Sequence, residues 1–160
     1  MKSAEITILR GTEGLHQFFY EMHRVSVEDK REILQAYVDD KQLADALGDE
    51  AFPHVRRMEE GKSKKMKILQ KEGDGYFPAK NYAEYKWIPV DQFIAVPFIV
   101  YSNKLAIVLF DPEPTIIVNN YPLVAEAYRF QFQSLWEKGL VPPQDLINAS
   151  EIPSKYKKSG

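Results

Sequence analysis

No cysteine occurs in the 160 residues of this chain. That removes disulfide frameworks, thiolate zinc sites and cysteine nucleophiles together, and it fits a reducing compartment. Long apolar runs are missing as well. No window approaches the roughly 20 apolar residues of a membrane span, and the start MKSAEITILRG has no apolar stretch of signal-peptide length behind its lysine. A cytoplasmic protein with no membrane partner is the expectation. Nor is charge of one sign in excess. The 21 basic and 23 acidic residues leave a net −2, so no global field draws the chain onto nucleic acid. The phosphate-loop glycine pattern, G-x-S-x-G and H-E-x-x-H are all absent. Histidine is scarce. His16 and His23 share a helix face but stand roughly 10 Å apart at 1.5 Å per residue, too far to ligate one metal together, and His54 is remote in sequence. No metal and no cofactor is expected.

What is present has the balance of an ordinary soluble domain, 44% hydrophobic and 28% charged, which supports one packed core and argues against disorder. A β-branched run at 6–9 leads through Gly11-Thr12-Glu13-Gly14 into an apolar pattern at Leu15, Phe18, Phe19, Met22 and Val25. That spacing predicts a strand followed by a helix, with Thr12 as N-cap and Glu13 in the first turn. Residues 33–38 form a near-continuous apolar run closed by Asp39-Asp40, the signature of a strand buried on both faces. A short helix and a second helix stopping at Gly61 are expected over 41–61, then a strand over 65–71. Residues 72–85 have loop composition but four aromatics, and 86–90 reads as a short edge strand because Pro89 has no N–H to donate.

Residues 93–139 then spell a meander with its covering helix. Strands over 95–101 and 104–110 flank the two-residue turn Ser102-Asn103, and a third strand over 115–118 follows Asp111-Pro112-Glu113-Pro114. Asn119 or Asn120 is expected to cap a helix running to Gly139, with Pro122 in its first turn. The alternation of strands and helices predicts a single α/β domain over 1–147, with 148–160 as a C-terminal tail.

Candidate chemistry is sparse. Asp39 and Asp40 end a strand, where open α/β sheets place their ligand groups, although adjacent carboxylates rarely face one site and an ordinary polar strand end is the competing reading. Thr12 and Glu13 lie at a helix start, where backbone N–H groups can receive an anion. Arg57 belongs to a basic concentration, Arg56-Arg57 and Lys62 to Lys67, interleaved with Glu59 and Glu60, which a solvated helix end explains equally well. Tyr76, Tyr82 and Trp87, with Phe77, are candidates to line a pocket beneath the 72–85 loop or to plug the core there. Nothing assembles into a catalytic set, although Asp39, Asp40, His54 and Arg57 around one cavity would make one.

Several stretches together resemble the phospholipase-D-like sensor domain of TrmB-type transcriptional regulators: ILRGTEGLHQFFYEM, REILQAYVDD, HVRRMEEGKSKKMKIL and IVYSNKLAIVLFDPEPTIIVNNYPLVAEAYRFQFQSLW. The likeness covers about residues 5–138. It implies a mixed β-sheet flanked by helices and a non-catalytic effector domain that senses a small molecule or dimerises. In that arrangement DNA is bound only through an N-terminal helix-turn-helix. Three departures follow. No helix-turn-helix precedes Met1, which implies an excised effector domain or a stand-alone relative. The C-terminal extension that carries the sugar site of the best-known members is missing, so sugar is not the expected ligand. Finally, phospholipase D enzymes use H-x-K-x4-D, with histidine as nucleophile, and residues 95–103 contain neither histidine nor lysine. No phosphodiesterase of that type is expected. The leading expectation is therefore a homodimeric regulatory domain with a small-molecule effector, its dimer surface within 93–139. A pure interaction module and an enzyme of another chemistry are the alternatives.

Overall fold

The computed structural model describes residues 5–61 and 66–154. Seven strands form one sheet in the order β1-β7-β6-β5-β2-β3-β4. β1 (Ile6–Arg10) leads into α1 (Gly11–Glu28), and β2 (Ile33–Val38) into α2 (Asp40–Leu47), a 3-10 turn (Gly48–Glu50) and α3 (Ala51–Glu60). β3 (Met66–Lys71) and β4 (Ala83–Ile88) run parallel to β2, whereas β5 (Phe98–Tyr101), β6 (Lys104–Leu109) and β7 (Thr115–Asn119) form an antiparallel meander. α4 (Pro122–Glu137) and a short α5 (Gln144–Ala149) complete the order. The sheet is thus mixed, an α/β single domain as expected.

Period-two alternation assigns the two faces. Ile99, Tyr101, Ala106, Val108, Ile116 and Val118 point toward α1, α2 and α3, where Leu15, Phe18, Phe19, Met22, Val55 and Met58 meet them. Leu34, Ala36, Phe98, Val100 and Leu105 point the other way, under Ala125, Phe132 and Trp136 of α4. Each face is therefore a separate apolar layer, and a strand such as β5 is buried on both sides.

Two corrections concern helix starts. The N-cap of α1 is Arg10 with no side-chain cap, so Thr12 is an exposed first-turn residue rather than the cap. Gly11, at φ +74, makes the turn, and its N–H donates to Pro114 O at 2.7 Å. Gly14 lets the helix lie directly on β1, since a Cβ there would meet the Leu9 carbonyl carbon at 2.9 Å. For α4 the N-cap is Tyr121, and Asn119 Oδ1 instead accepts from the Tyr121 N–H at 3.0 Å.

Strand bounds also shift. β5 begins at Phe98 rather than at 95, because the chain bends at Ala95 and Val96 is 39% exposed. β4 begins at Ala83, inside the segment read as loop, and Pro89 follows it. Residues 148–154, read as tail, lie against the body: Ser150 Oγ accepts from Phe77 N–H at 2.7 Å, and Lys80 Nζ donates to the carbonyls of Ile147, Asn148 and Ser150. Lys62, Lys64 and Lys65 of the basic concentration lie outside the described residues, as does the end from 155.

Candidate functional site

A β-bulge organises the end of the sheet at which β2 and β3 finish. The β2–β3 register slips between Gln35 and Val38, and Tyr37 takes up the extra residue at φ +60, a conformation rarely adopted by a side chain of its size. Val38 then pairs with Gln70. Asp39 becomes the N-cap of α2, its Oδ1 accepting from Gln42 N–H at 3.1 Å, while Asp40 turns inward and is 4% exposed. The adjacent carboxylates therefore serve different places.

Gln70 is fully buried and its amide joins two walls. Nε2 donates to Asp40 Oδ2 at 2.7 Å and to Tyr76 O at 2.5 Å, tying the head of α2 to the loop that follows β3. Between those walls opens a cleft of about 720 Å³, lined on one side by Lys41, Asp45, Asp49 and Phe52, on the other by Gly75 and Tyr76, and along its length by Ser150 to Ser154. That volume suits a small organic ligand. Tyr76 is half-buried, and its hydroxyl is pushed up by desolvation and then by Asp40 and Asp45, so it stays neutral and able to donate.

Beneath the cleft lies a second cavity of about 40 Å³, sharing Ala44, Ala51 and Pro153 with it. Its lining includes Gln35, Asp40, His54 and Tyr82. Desolvation raises Asp40 to a pKa of about 7, against the smaller lowering by its Gln70 hydrogen bond. Desolvation also lowers His54 to about 3, with Arg57 adding to it, so the ring is neutral and packs edge-on against Phe19 at 4.9 Å. The volume admits a water molecule but no organic substrate.

Of the sequence candidates, Tyr76 lines the cleft and Asp40 and Tyr82 line the cavity below it. Tyr82, 5% exposed, plugs the core, as does Phe77, which meets Tyr85 edge-on at 4.9 Å. Asp39 borders a shallow depression with Lys71, Glu72, Gly73, Asp74 and Phe93. Arg57 is elsewhere, pairing with Glu50 at 3.6 Å and lying over the Tyr20 ring. Trp87 sits on β4, exchanging backbone bonds with Leu140. Thr12 and Glu13 lie at the start of α1, exposed. The four-residue catalytic cluster is thus not assembled: only Asp40 and His54 share a cavity. Sequence reasoning missed Gln70, although a glutamine inside the apolar run of β3 is itself a signal of a buried polar role.

The hairpin end of the sheet is built differently. Arg31 Nη2 pairs with Asp29 at 2.7 Å and donates to Asn103 Oδ1 at 3.2 Å, and Arg129 donates to the Ser102 carbonyl. Lys104, just past the 95–103 stretch, is the lysine of this hairpin, and setting the H-x-K-x4-D spacing on it puts Ser102 at the histidine position and Leu109 at the aspartate position. Its Nζ donates to Asn120 Oδ1 at 2.7 Å. Among the described residues no group of three His, Cys, Asp or Glu is placed to hold a metal, and no helix is long and apolar enough to cross a membrane.

Neither a family model nor a curated protein sequence matches the chain. Solved structures do. One similar structure is TrmBL2, described as an archaeal chromatin protein with a novel mode of DNA binding, at TM-score 0.58 and 17% identity over 89% of this chain and 56% of that one. This chain therefore spans little more than half of TrmBL2. Another is Nuc from Salmonella typhimurium, a phospholipase D family member, at TM-score 0.51 and 15% identity over 84% of this chain and 95% of that one. Identities this low speak to architecture alone, and what they show is that this chain has the fold of a phospholipase-D-like, TrmB-type domain.

Proposed function

We propose that this chain is a regulatory effector domain that binds a small polar molecule in the cleft between α2 and the 72–82 loop and does no chemistry on it. The observation that carries the reading is the Gln70 clamp. A buried amide holding Asp40 and the Tyr76 carbonyl fixes both walls of a ligand-sized cleft before any ligand arrives, and preorganisation of that kind lowers the ordering cost of binding. Neutral Tyr76 offers a donor to a polar molecule, and the exposed Lys41–Asp45 ion pair, 3.3 Å apart, offers a cation and an acceptor that such a molecule can engage in place of each other.

Absence of catalysis belongs to the same reading. Where the H-x-K-x4-D motif would place its nucleophile this sequence has Ser102, whose carbonyl is engaged by Arg129, and neither a hydroxyl nor an amide serves as imidazole does at neutral pH. Regulation of DNA would pass through a helix-turn-helix outside this chain, in a cytoplasmic homodimer. Isothermal titration and thermal shift against a panel of polar metabolites test the sensor role. The expected result is a ligand that raises Tm in the native chain and loses affinity at least tenfold in Tyr76→Ala. A panel without any stabilising compound, or turnover of a phosphodiester by the purified protein, overturns the proposal.

A further inference from the structure

The two edges of the sheet are not alike. β4 carries its own cover, since Trp87 N–H donates to Leu140 O at 2.8 Å and Leu140 N–H to Trp87 O at 2.9 Å. No backbone bond reaches the outer side of β1 among the described residues. The parity of its ladder says which groups face outward. Asn120 N–H donates to Glu5 O and Gly11 N–H to Pro114 O, in the register that pairs Ile6 with Asn119 and Arg10 with Thr115. The odd-numbered residues of β1 therefore exchange their bonds with β7, and the N–H and C=O groups of Ile6, Ile8 and Arg10 point to the open edge. Ile6 and Ile8 are also 53% and 49% exposed. Three of the strand's five residues are β-branched and its only charge is at the end, so this edge is a ready template for another strand.

We propose that β1 pairs antiparallel with β1 of a second copy about a two-fold axis normal to the sheet, joining the two sheets into one. The edge is complementary to itself in two ways. Under that axis a residue of even number meets one of even number, so outward-facing groups of one copy meet those of the other. The register that sets Ile6 against the partner's Ile8 covers both isoleucines on one face and places Thr7 opposite the second Thr7 across the axis. This interface is independent of what the cleft binds. It also differs from the surface expected within 93–139. On α4, Leu123 and Phe130 are exposed at 82% and 74%, but a helix bonds its interior backbone groups within itself and offers no strand edge, and single exposed apolar side chains are ordinary on protein surfaces.

Cross-linking tests the register directly, because the chain has no native cysteine. Thr7 faces its own copy as a non-hydrogen-bonded pair, with Cα atoms about 4.5 Å apart, inside the range a disulfide spans. Thr7→Cys is expected to form a covalent dimer on mild oxidation, and Ile8→Cys, which would face Ile6, is expected to form several-fold less. In light scattering the native chain and Phe130→Glu run as dimers, and Ile8→Lys as a monomer. Ile8→Pro also runs as a monomer while keeping its circular dichroism, since the N–H it loses is not bonded to β7. A monomeric native chain, equal cross-linking at positions 7 and 8, or dissociation by Phe130→Glu but not by Ile8→Lys overturns the proposal. Should Ile8→Pro fail to fold, Ile8→Lys and the cross-link decide between the same outcomes.

Discussion

The end of the sheet at which β2 and β3 finish buries its polar groups, whereas the hairpin end pairs its charges at partly exposed positions, Arg31 with Asp29 and Arg129 with Glu126. Asp40, His54 and Gln70 are each under a tenth exposed, and desolvation is the first cause of both pKa shifts there. At the hairpin, Asp29 is held well below the usual carboxylate range chiefly by its hydrogen bonds to Arg31, and burial is a lesser opposing effect. The difference teaches which end of this scaffold is shaped. Paired surface charges add little to stability and move easily, while a buried amide bridging two walls holds them in one geometry. The hairpin end is the more loosely constrained one in this chain, and the ligand-sized cleft lies at the other.

The contrast can be broken most strongly at Asp40 and His54. Asp40 rises from 3.8 to about 7 on folding, so its contribution is fully present below pH 3.8 and is lost as pH rises through 7. His54 falls from 6.5 to about 3, so its contribution is present above pH 6.5 and lost as pH falls through 3. Each is worth on the order of 4–5 kcal/mol across its window, and because the signs oppose, the two contributions nearly cancel between pH 4 and 6.5. Asp40→Asn is expected to leave a protein that weakens on acidification, and His54→Phe one that weakens as pH rises from 4 to 7. Urea midpoints at pH 4, 5.5 and 7 measure both, and parallel profiles for the two variants would refute the assignment.

Gln70→Leu comes next. It strips Asp40 and the Tyr76 carbonyl of their buried donor at once, for a loss of about 2–3 kcal/mol. Faster amide exchange in the loop around Tyr76 should accompany the drop in denaturant midpoint; an unchanged midpoint would mean the clamp does not hold the walls. At the hairpin end, Arg129→Met removes one hydrogen bond to the Ser102 carbonyl and is expected to cost about 1 kcal/mol by thermal melting. Asp29→Asn should cost less than about 1 kcal/mol at low salt and nothing measurable in molar salt. A larger effect at Asp29 than at Gln70 would reverse the comparison.

Much of the scaffold is legible from the chain because it is local. The alternation in β5 to β7, the turns at Ser102-Asn103 and at Asp111 to Pro114, and the 3.6-residue pattern of α1 each lie within a short window. Ends of elements were less legible. Thr12 has the chemistry of an N-cap, but Gly11 already starts the helix by bonding to Pro114, a residue about a hundred positions away. The start of β4 was hidden because Ala83 and Glu84 look like loop until β3 is placed beside them. The cleft was half legible: Tyr76 and the Asp39-Asp40 strand end pointed to the right corner, but Thr12, Glu13, Arg57 and Trp87 lie elsewhere.

By itself the sequence determined most of the element types, the two-sided burial of the central strands and the absence of histidine from the hairpin, since periodicity and residue identity are properties of short stretches. Only the tertiary structure decided which of two adjacent carboxylates is buried, what Gln70 joins, and where Ser150 to Ser154 lie. Those outcomes depend on a bulge at Tyr37, a strand register and contacts spanning about thirty to seventy residues. No local pattern encodes such distances, because the free energy that selects them comes from desolvation and hydrogen bonding between segments brought together by the fold.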